Sequence, residues 1–258
     1  MFKWAVIFLY FIIFNSYSCQ LDVRLEQFSP ESNKNKSNNW FGIDVELTQM
    51  LLDEAQCSYN ILEVAWGRAL IMLTDGELDL ILNVSKTSKR EEDFYFIGPI
   101  RHETVVFATY QHFDYNLKTI ADIVKLDKPI AIQRSAYYGK VIAQLLEQED
   151  YKESFVHVAN NETKLKLLKR GRISGFLEAK RNIIHGIKND NNYEGVWFPD
   201  VVINQTPVYF ALSKKSINKE LKHKISEGFN RLVRQGKISE IVLEHQNIES
   251  PTIATQDK

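Results

Sequence analysis

The chain has 258 residues, 44% of them apolar, and 32 Lys and Arg against 33 Asp and Glu, for a formal net charge of −1. That balance excludes the basic stripe of a nucleic-acid binder, and the length can bury a good core in one large or two small domains, the second being preferred. The six histidines are scattered without ligand spacing, and no P-loop, dinucleotide fingerprint, G-x-S-x-G or H-E-x-x-H occurs, so no metal, cofactor or catalytic machinery is expected.

Met1-Phe2-Lys3 and the apolar run from Trp4 to Phe14 form a basic n-region and an h-region too short to span a bilayer. Residues 1–18 therefore read as a cleaved secretory signal, with Ser16 and Ser18 as the small residues before a cut at Cys19, and the mature chain is expected in the periplasm. Lipid anchoring at Cys19 competes with this reading, although Ser16 stands where a lipoprotein usually has Leu. Cys19 and Cys57 are the only cysteines. In an oxidising compartment they could pair, which excludes lipidation; two free thiols are the other outcome.

Leu21 to Leu25 alternates as a strand, and the polar run Glu31 to Asn39 reads as a loop. Val45 to Ala55 is expected to be helical, Tyr59 to Val64 a strand and Trp66 to Thr74 a helix that Asp75-Gly76 ends. Leu78 to Asn83 is a short apolar run fit for a buried parallel strand, and Val105 to Tyr110 is a strand rich in β-branched residues. A second series follows the loop from His112 to Leu117: helix Ile120 to Lys125, strand Ile130 to Gln133, helix Tyr138 to Leu146, strand Phe155 to Val158, helix Thr163 to Arg170 and strand Gly175 to Leu177. Val208 to Leu212 reads as a strand. Ile217 to Gln235, with Leu221, Ile225, Phe229 and Leu232 at helical spacing, reads as a final amphipathic helix. Alternation of this kind implies α/β architecture with parallel sheets covered on both faces.

In an open α/β sheet a ligand binds past the carboxyl end of a strand. That end of the strand here carries Asn83, Ser85, Thr87 and Arg90, three hydrogen-bonding side chains and then a guanidinium able to grip a carboxylate with two bonds. Around these residues lies an ordered set of patterns. Gly42-Ile43-Asp44-Val45-Glu46-Leu47 fits G-x-D-x-E-L, and Trp66 leads a helix. Leu73-Thr74-Asp75-Gly76-Glu77-Leu78-Asp79 fits L-x-x-G-x-(I/L)-D, Ser85-Lys86-Thr87-Ser88-Lys89-Arg90 fits S-x-T-x-x-R, and Phe96-Ile97-Gly98-Pro99 closes the set. In this order they resemble the extracellular solute-binding proteins, family 3, that serve polar amino acid uptake. The resemblance runs from about Leu21 to His245 and is strongest before residue 110.

The resemblance implies a type II periplasmic-binding-protein fold: two lobes, each a mainly parallel sheet flanked by helices, joined by two interlobe strands. Residues 19–109 with 211–258 would form lobe one, and 110–210 lobe two. Arg90 would take the ligand's α-carboxylate, with Ser85 and Asn83 beside it; within Lys89-Arg90-Glu91-Glu92-Asp93 it could instead belong to a solvated charge cluster. Glu178, one position short of the pattern's spacing, is taken for the Asp that receives the α-ammonium in G-x-(I/V)-D-(A/G)-x-x-x-D, with Ser174 replacing the inner Asp; a helix N-terminus would also favour a carboxylate there. Arg134 replaces the first Gly of the G-(T/S)-(T/S) turn and is followed by Ser135, hinting at a second acidic group on the ligand or at a turn of altered shape. Phe28 and Trp66 are the expected apolar walls of the pocket, or simply core.

The expectation is a non-catalytic, monomeric receptor for an amino-acid-like or other carboxylate ligand, delivering it to the membrane permease of an ABC transporter. A periplasmic sensor signalling to a membrane partner is the alternative. A cyclohexadienyl-dehydratase-like enzyme on the same fold, with Glu178 as general acid, is a further one.

Overall fold

The computed structural model describes residues 19–110 and 116–247. The signal segment lies outside the described residues, as does most of the loop expected at His112 to Leu117. In chain order the elements are β1 (Cys19–Leu25), β2 (Asn33–Lys34), β3 (Trp40–Phe41), α1 (Ile43–Glu54), β4 (Cys57–Glu63), α2 (Trp66–Asp75), β5 (Leu80–Ser85), α3 (Ser88–Asp93) and β6 (Phe94–Tyr110). There follow α4 (Ile120–Ile123), β7 (Ile130–Gln133), α5 (Lys140–Leu146), β8 (Phe155–Val158), α6 (Asn161–Lys169), β9 (Gly175–Ala179), α7 (Lys180–Asn189), β10 (Val196–Trp197), β11 (Val202–Ser213), α8 (Lys219–Arg234) and α9 (Lys237–Asn247).

The main sheet has the order β4-β1-β5-β11-β6-β9-β7-β8, with β10 paired to β6. β1 is parallel to β4 and β5, and β7 is parallel to β8 and β9. Between these sets β11 runs antiparallel to both β5 and β6, and β6 runs antiparallel to β9. Two parallel halves are thus joined through the two long strands β6 and β11, the two-lobed α/β architecture.

Each half has its own core, and period-two alternation along the strands explains how. In β5, Leu80 and Leu82 face the cluster built on Leu47, Leu51, Ile225 and Phe229 of α1 and α8, while Ile81 and, past the break in alternation at Asn83 (φ 59°), Val84 face Ala69 and Leu73 of α2. In the other half, Phe107, Ile130, Ile132 and Leu177 pack with Ile142 of α5, while Ala131 and Phe176 pack with Leu165 and Leu168 of α6. Fully burying each of these aliphatic or aromatic side chains stabilises by about 1.5 to 3 kcal/mol.

The connecting strands are longer than their apolar runs suggest. β6 starts at Phe94, not Val105, because Arg101-His102-Glu103-Thr104 hides the strand behind polar side chains that pair in register with Val208, Pro207, Thr206 and Gln205 of β11. The expected loop Glu31 to Asn39 holds half of the small hairpin β2–β3. Three helices escaped the periodicity argument. α3 is short and charged, held by the Thr87 side chain accepting from the Arg90 amide at 3.2 Å. In α7, Lys, Arg, Asn and His interrupt the apolar stripe, and α9 extends the fold beyond Gln235.

Cys19 and Cys57 form a disulfide at the first rung of the β1–β4 ladder, with Cα atoms 4.6 Å apart. The Cys19 sulfur is thereby consumed, which rules against a lipid thioether at that residue. Gly42 caps α1 with φ 118°, and a Cβ there would meet the Glu31 carbonyl oxygen at 2.4 Å. Only glycine permits that approach, which seats Glu31 against the start of α1.

Candidate functional site

Where the two halves face each other, β1, β5, β6, β9 and the turn after β7 enclose a cavity of about 80 Å³, sized for one small molecule rather than a peptide. Of the sequence-predicted residues, Phe28, Trp66, Asn83, Ser85, Arg90 and Glu178 line it. Arg134 and Ser135 do not. The Arg134 side chain is exposed to solvent, so the expectation of a second cationic contact for the ligand is corrected. Ser135, at φ 64°, turns its backbone carbonyl to Arg90 rather than offering an N–H to a ligand.

Arg90 reaches from α3 to donate to the Ser85 carbonyl at 2.7 Å and to the Ser135 carbonyl at 2.9 Å. Burial lowers its pKa to about 10, still well above neutrality. Asn83 adopts φ 59°, the left-handed region that Asn tolerates better than most residues. That twist at the strand's end aims its amide at Asp44, whose two carboxylate oxygens accept at 2.7 and 2.6 Å, while its own oxygen accepts from Arg101 at 3.0 Å.

Glu178, at the end of β9, is buried at the cavity wall and already partnered. Its Oε2 accepts from Lys164 Nζ at 2.7 Å and its Oε1 from the Ala179 amide at 2.9 Å. Lys164 is completely buried, and burial opposes its charge; Glu178 and Tyr138 outweigh that and hold its pKa above the usual lysine value. Trp66 stacks under Arg24, whose guanidinium lies 5.4 Å from the ring centroid, and the buried Trp66 Nε1 has no acceptor among the described residues. Arg24 also donates to the Val64 carbonyl and to Glu26.

The remaining charged lining residues, Arg24, Glu26, Asp44 and Glu103, carried no assigned role in the sequence. Asp44 could have been found, since it sits inside the Gly42 to Leu47 pattern on the first turn of α1. Glu103 and the buried Arg101 had no local signal, because the topology alone brings them to the cavity. Arg101 lies 3.6 Å from Glu31 and 3.8 Å from Glu103. Burial raises the pKa of Asp44 and Glu103, and lifts that of Glu31 to about 8 despite Arg101. Glu31 is 1% exposed and bridges the halves, accepting from Asn182 of α7 at 2.7 Å and lying 3.6 Å from Arg181. Among the described residues no group of three or more His, Cys, Asp or Glu could hold a metal ion, and no helix is long and apolar enough to cross a membrane.

The family model of the bacterial extracellular solute-binding proteins, family 3, matches residues 23–247. Solved structures with the same fold include a mutant of the arginine-binding protein ArgBP from T. maritima, 18% identical, covering 88% of this chain and 95% of its own with a TM-score of 0.73. An amino acid ABC transporter substrate-binding protein from Streptococcus pneumoniae, bound to L-arginine, is 19% identical over 90% of this chain and 97% of its own, TM-score 0.72. A histidine kinase sensor domain with similarity to periplasmic binding proteins is 16% identical over 88% and 95%, TM-score 0.74. Comparison with curated protein sequences finds no match.

Proposed function

Because the chain belongs to the bacterial extracellular solute-binding proteins, family 3, we propose that it is an exported periplasmic receptor that closes two lobes around a small amino-acid-like carboxylate and delivers it to the permease of an ABC transporter. Arg90 carries the reading. It is a half-buried guanidinium on the cavity wall whose partners are two backbone carbonyls, and among the described residues no carboxylate pairs with it. A cation in that setting favours an anion, and the guanidinium keeps N–H donors for one. The unpartnered indole N–H of Trp66 adds a donor in the same wall. The ligand class is supported by the arginine-bound S. pneumoniae protein of the same fold.

Lobe one would comprise residues 19–109 and 211–258, and lobe two 110–210, hinged at β6 and β11. Ligand binding shifts the open and closed populations by its differential affinity for them. The protein would act as a monomer and release its ligand unchanged. A sensing role is favoured only by the histidine kinase sensor domain of like fold.

The test is a thermal-shift screen of residues 19–258 against amino acids, dicarboxylates and amines, run beside Arg90→Ala. A ligand at 100 times its Kd stabilises by about 2.7 kcal/mol. A hit lost in the folded Arg90→Ala variant is the expected result, and chromatography should recover the compound intact. A hit indifferent to Arg90, or none in any class, overturns the carboxylate site. Uptake of the hit by cells, lost with the permease, separates delivery from sensing.

A further inference from the structure

We infer that the amine of the ligand is received by Glu103, backed by Asp44, and that Glu178 is a positioning residue which holds Lys164 and the start of α7. The inference rests on the amino-acid-like reading above and specifies its second contact.

Glu178 is the acid taken from the sequence pattern for an ammonium, but counted from Gly171 the pattern's last position falls on Ala179, one residue on, and the charge of Glu178 is already answered. Lys164 Nζ sits 2.7 Å away, also donates to the Leu177 carbonyl at 2.9 Å and lies 5.9 Å from the Phe176 ring. A ligand ammonium at Glu178 would bring a second cation beside a fully buried one, in surroundings of low dielectric where like charges repel most strongly. The other Glu178 oxygen is engaged by the Ala179 amide. The pair is complete without a ligand.

Glu103 is placed differently. It lines the same cavity, accepts no hydrogen bond from the described residues, and its ion pair is the 3.8 Å approach of Arg101. That guanidinium is shared, lying 3.6 Å from Glu31 and donating to Asn83 at 3.0 Å. Asp44, on the cavity wall, holds Asn83 through both oxygens. The cavity therefore offers a cation on α3 and, on β6, a carboxylate whose guanidinium neighbour lies 3.8 Å away and is shared, the complement of a zwitterion.

Calorimetry with a panel of L-amino acids and the 2-hydroxy acids of the same side chains tests this. The expected wild-type result is a preference of at least tenfold for one amino acid over its 2-hydroxy counterpart. Glu103→Gln should erase that preference. Lys164→Met with Glu178→Gln, which removes the buried pair together so that neither charge is stranded, should weaken both probes by a similar factor and keep the preference. Preference lost in the double variant and kept in Glu103→Gln returns the amine to Glu178 and overturns the inference. Wild-type binding of 2-hydroxy acids as tight as amino acids overturns it and leaves the carboxylate receptor standing. Binding of neither class overturns both.

Discussion

The Arg90 guanidinium donates to the carbonyl oxygen of Ser135 at 2.9 Å, linking the end of β5 in one half of the molecule to the turn after β7 in the other. Its second bond, to Ser85 at 2.7 Å, fixes the fork against the end of β5, the strand that precedes α3. The residue proposed to grip the ligand is therefore also a strut across the cleft, and its geometry depends on a planar fork with several donors. Arg90→Lys keeps the charge but cannot serve two carbonyls and a carboxylate together. Its expected cost is about 1.5 to 3 kcal/mol of binding, roughly ten- to a hundredfold in Kd by calorimetry, with the fold unchanged. Equal affinity in the two proteins would mean that Arg90 acts through its charge alone.

Glu31 couples stability to pH. Its carboxyl is buried between Arg101, Arg181 and Asn182, and burial lifts its pKa from 4.5 to about 8. A raised acid pKa means that the folded protein keeps its proton while the unfolded chain gives it up. The favourable contribution is complete below about pH 4.5 and is lost as pH rises through 8. The raised values of Asp44 and Glu103 act in the same direction. Melting temperature should fall between pH 5 and pH 9, and Glu31→Gln should flatten that fall while keeping the Asn182 contact in amide form. An identical slope in the variant would show that Glu31 is ionised in the folded protein throughout.

The signals in the sequence were strongest where an apolar run meets punctuation. Ile130–Gln133 and Phe155–Val158 are strands with the expected ends, because each is a short β-branched or aromatic run bounded by polar turns. The connecting strand β6 was shortened by eleven residues in expectation, since a strand that borders a polar cleft must present Arg101 and Glu103 there and so loses its alternation. The site divides along the same line. Arg90, Ser85 and Asn83 follow one strand and were legible together. Glu103, Arg24 and Lys164 come from separate elements, and only the sheet order β5-β11-β6-β9 gathers them. A buried lysine is the least legible of these: Lys164 sits in a helix that reads as solvated, Asn-Glu-Thr-Lys-Leu-Lys, and its partner lies fourteen residues away.

That pair also yields a stability test. Lys164→Met alone strands the Glu178 carboxylate in a buried site, at an expected cost of about 3 to 5 kcal/mol. Adding Glu178→Gln should recover most of the loss, since the Ala179 amide and the surrounding rings then face an uncharged side chain. Urea unfolding of the four members of this cycle gives the coupling energy. Additive losses would mean that the two charges are solvated and do not depend on each other.

The disulfide at the edge of the sheet carries the last prediction. Cys19 and Cys57 are separated by 38 positions and close a loop that contains β1, the β2–β3 hairpin and α1. In the chain-entropy account, cross-linking a loop of that length stabilises by about 3 to 4 kcal/mol, chiefly by restricting the unfolded chain. Reduction, or Cys19→Ser with Cys57→Ser, should therefore lower the melting temperature by several degrees. The cavity should keep its ligand affinity, because β1 remains in the ladder through its pairing from Gln20 to Leu25 with Ser58 to Glu63, and Arg24 stays over the Trp66 ring. A parallel loss of affinity on reduction would show instead that the bond holds β1 in register for binding. In that case restoring the oxidised state should restore both properties together.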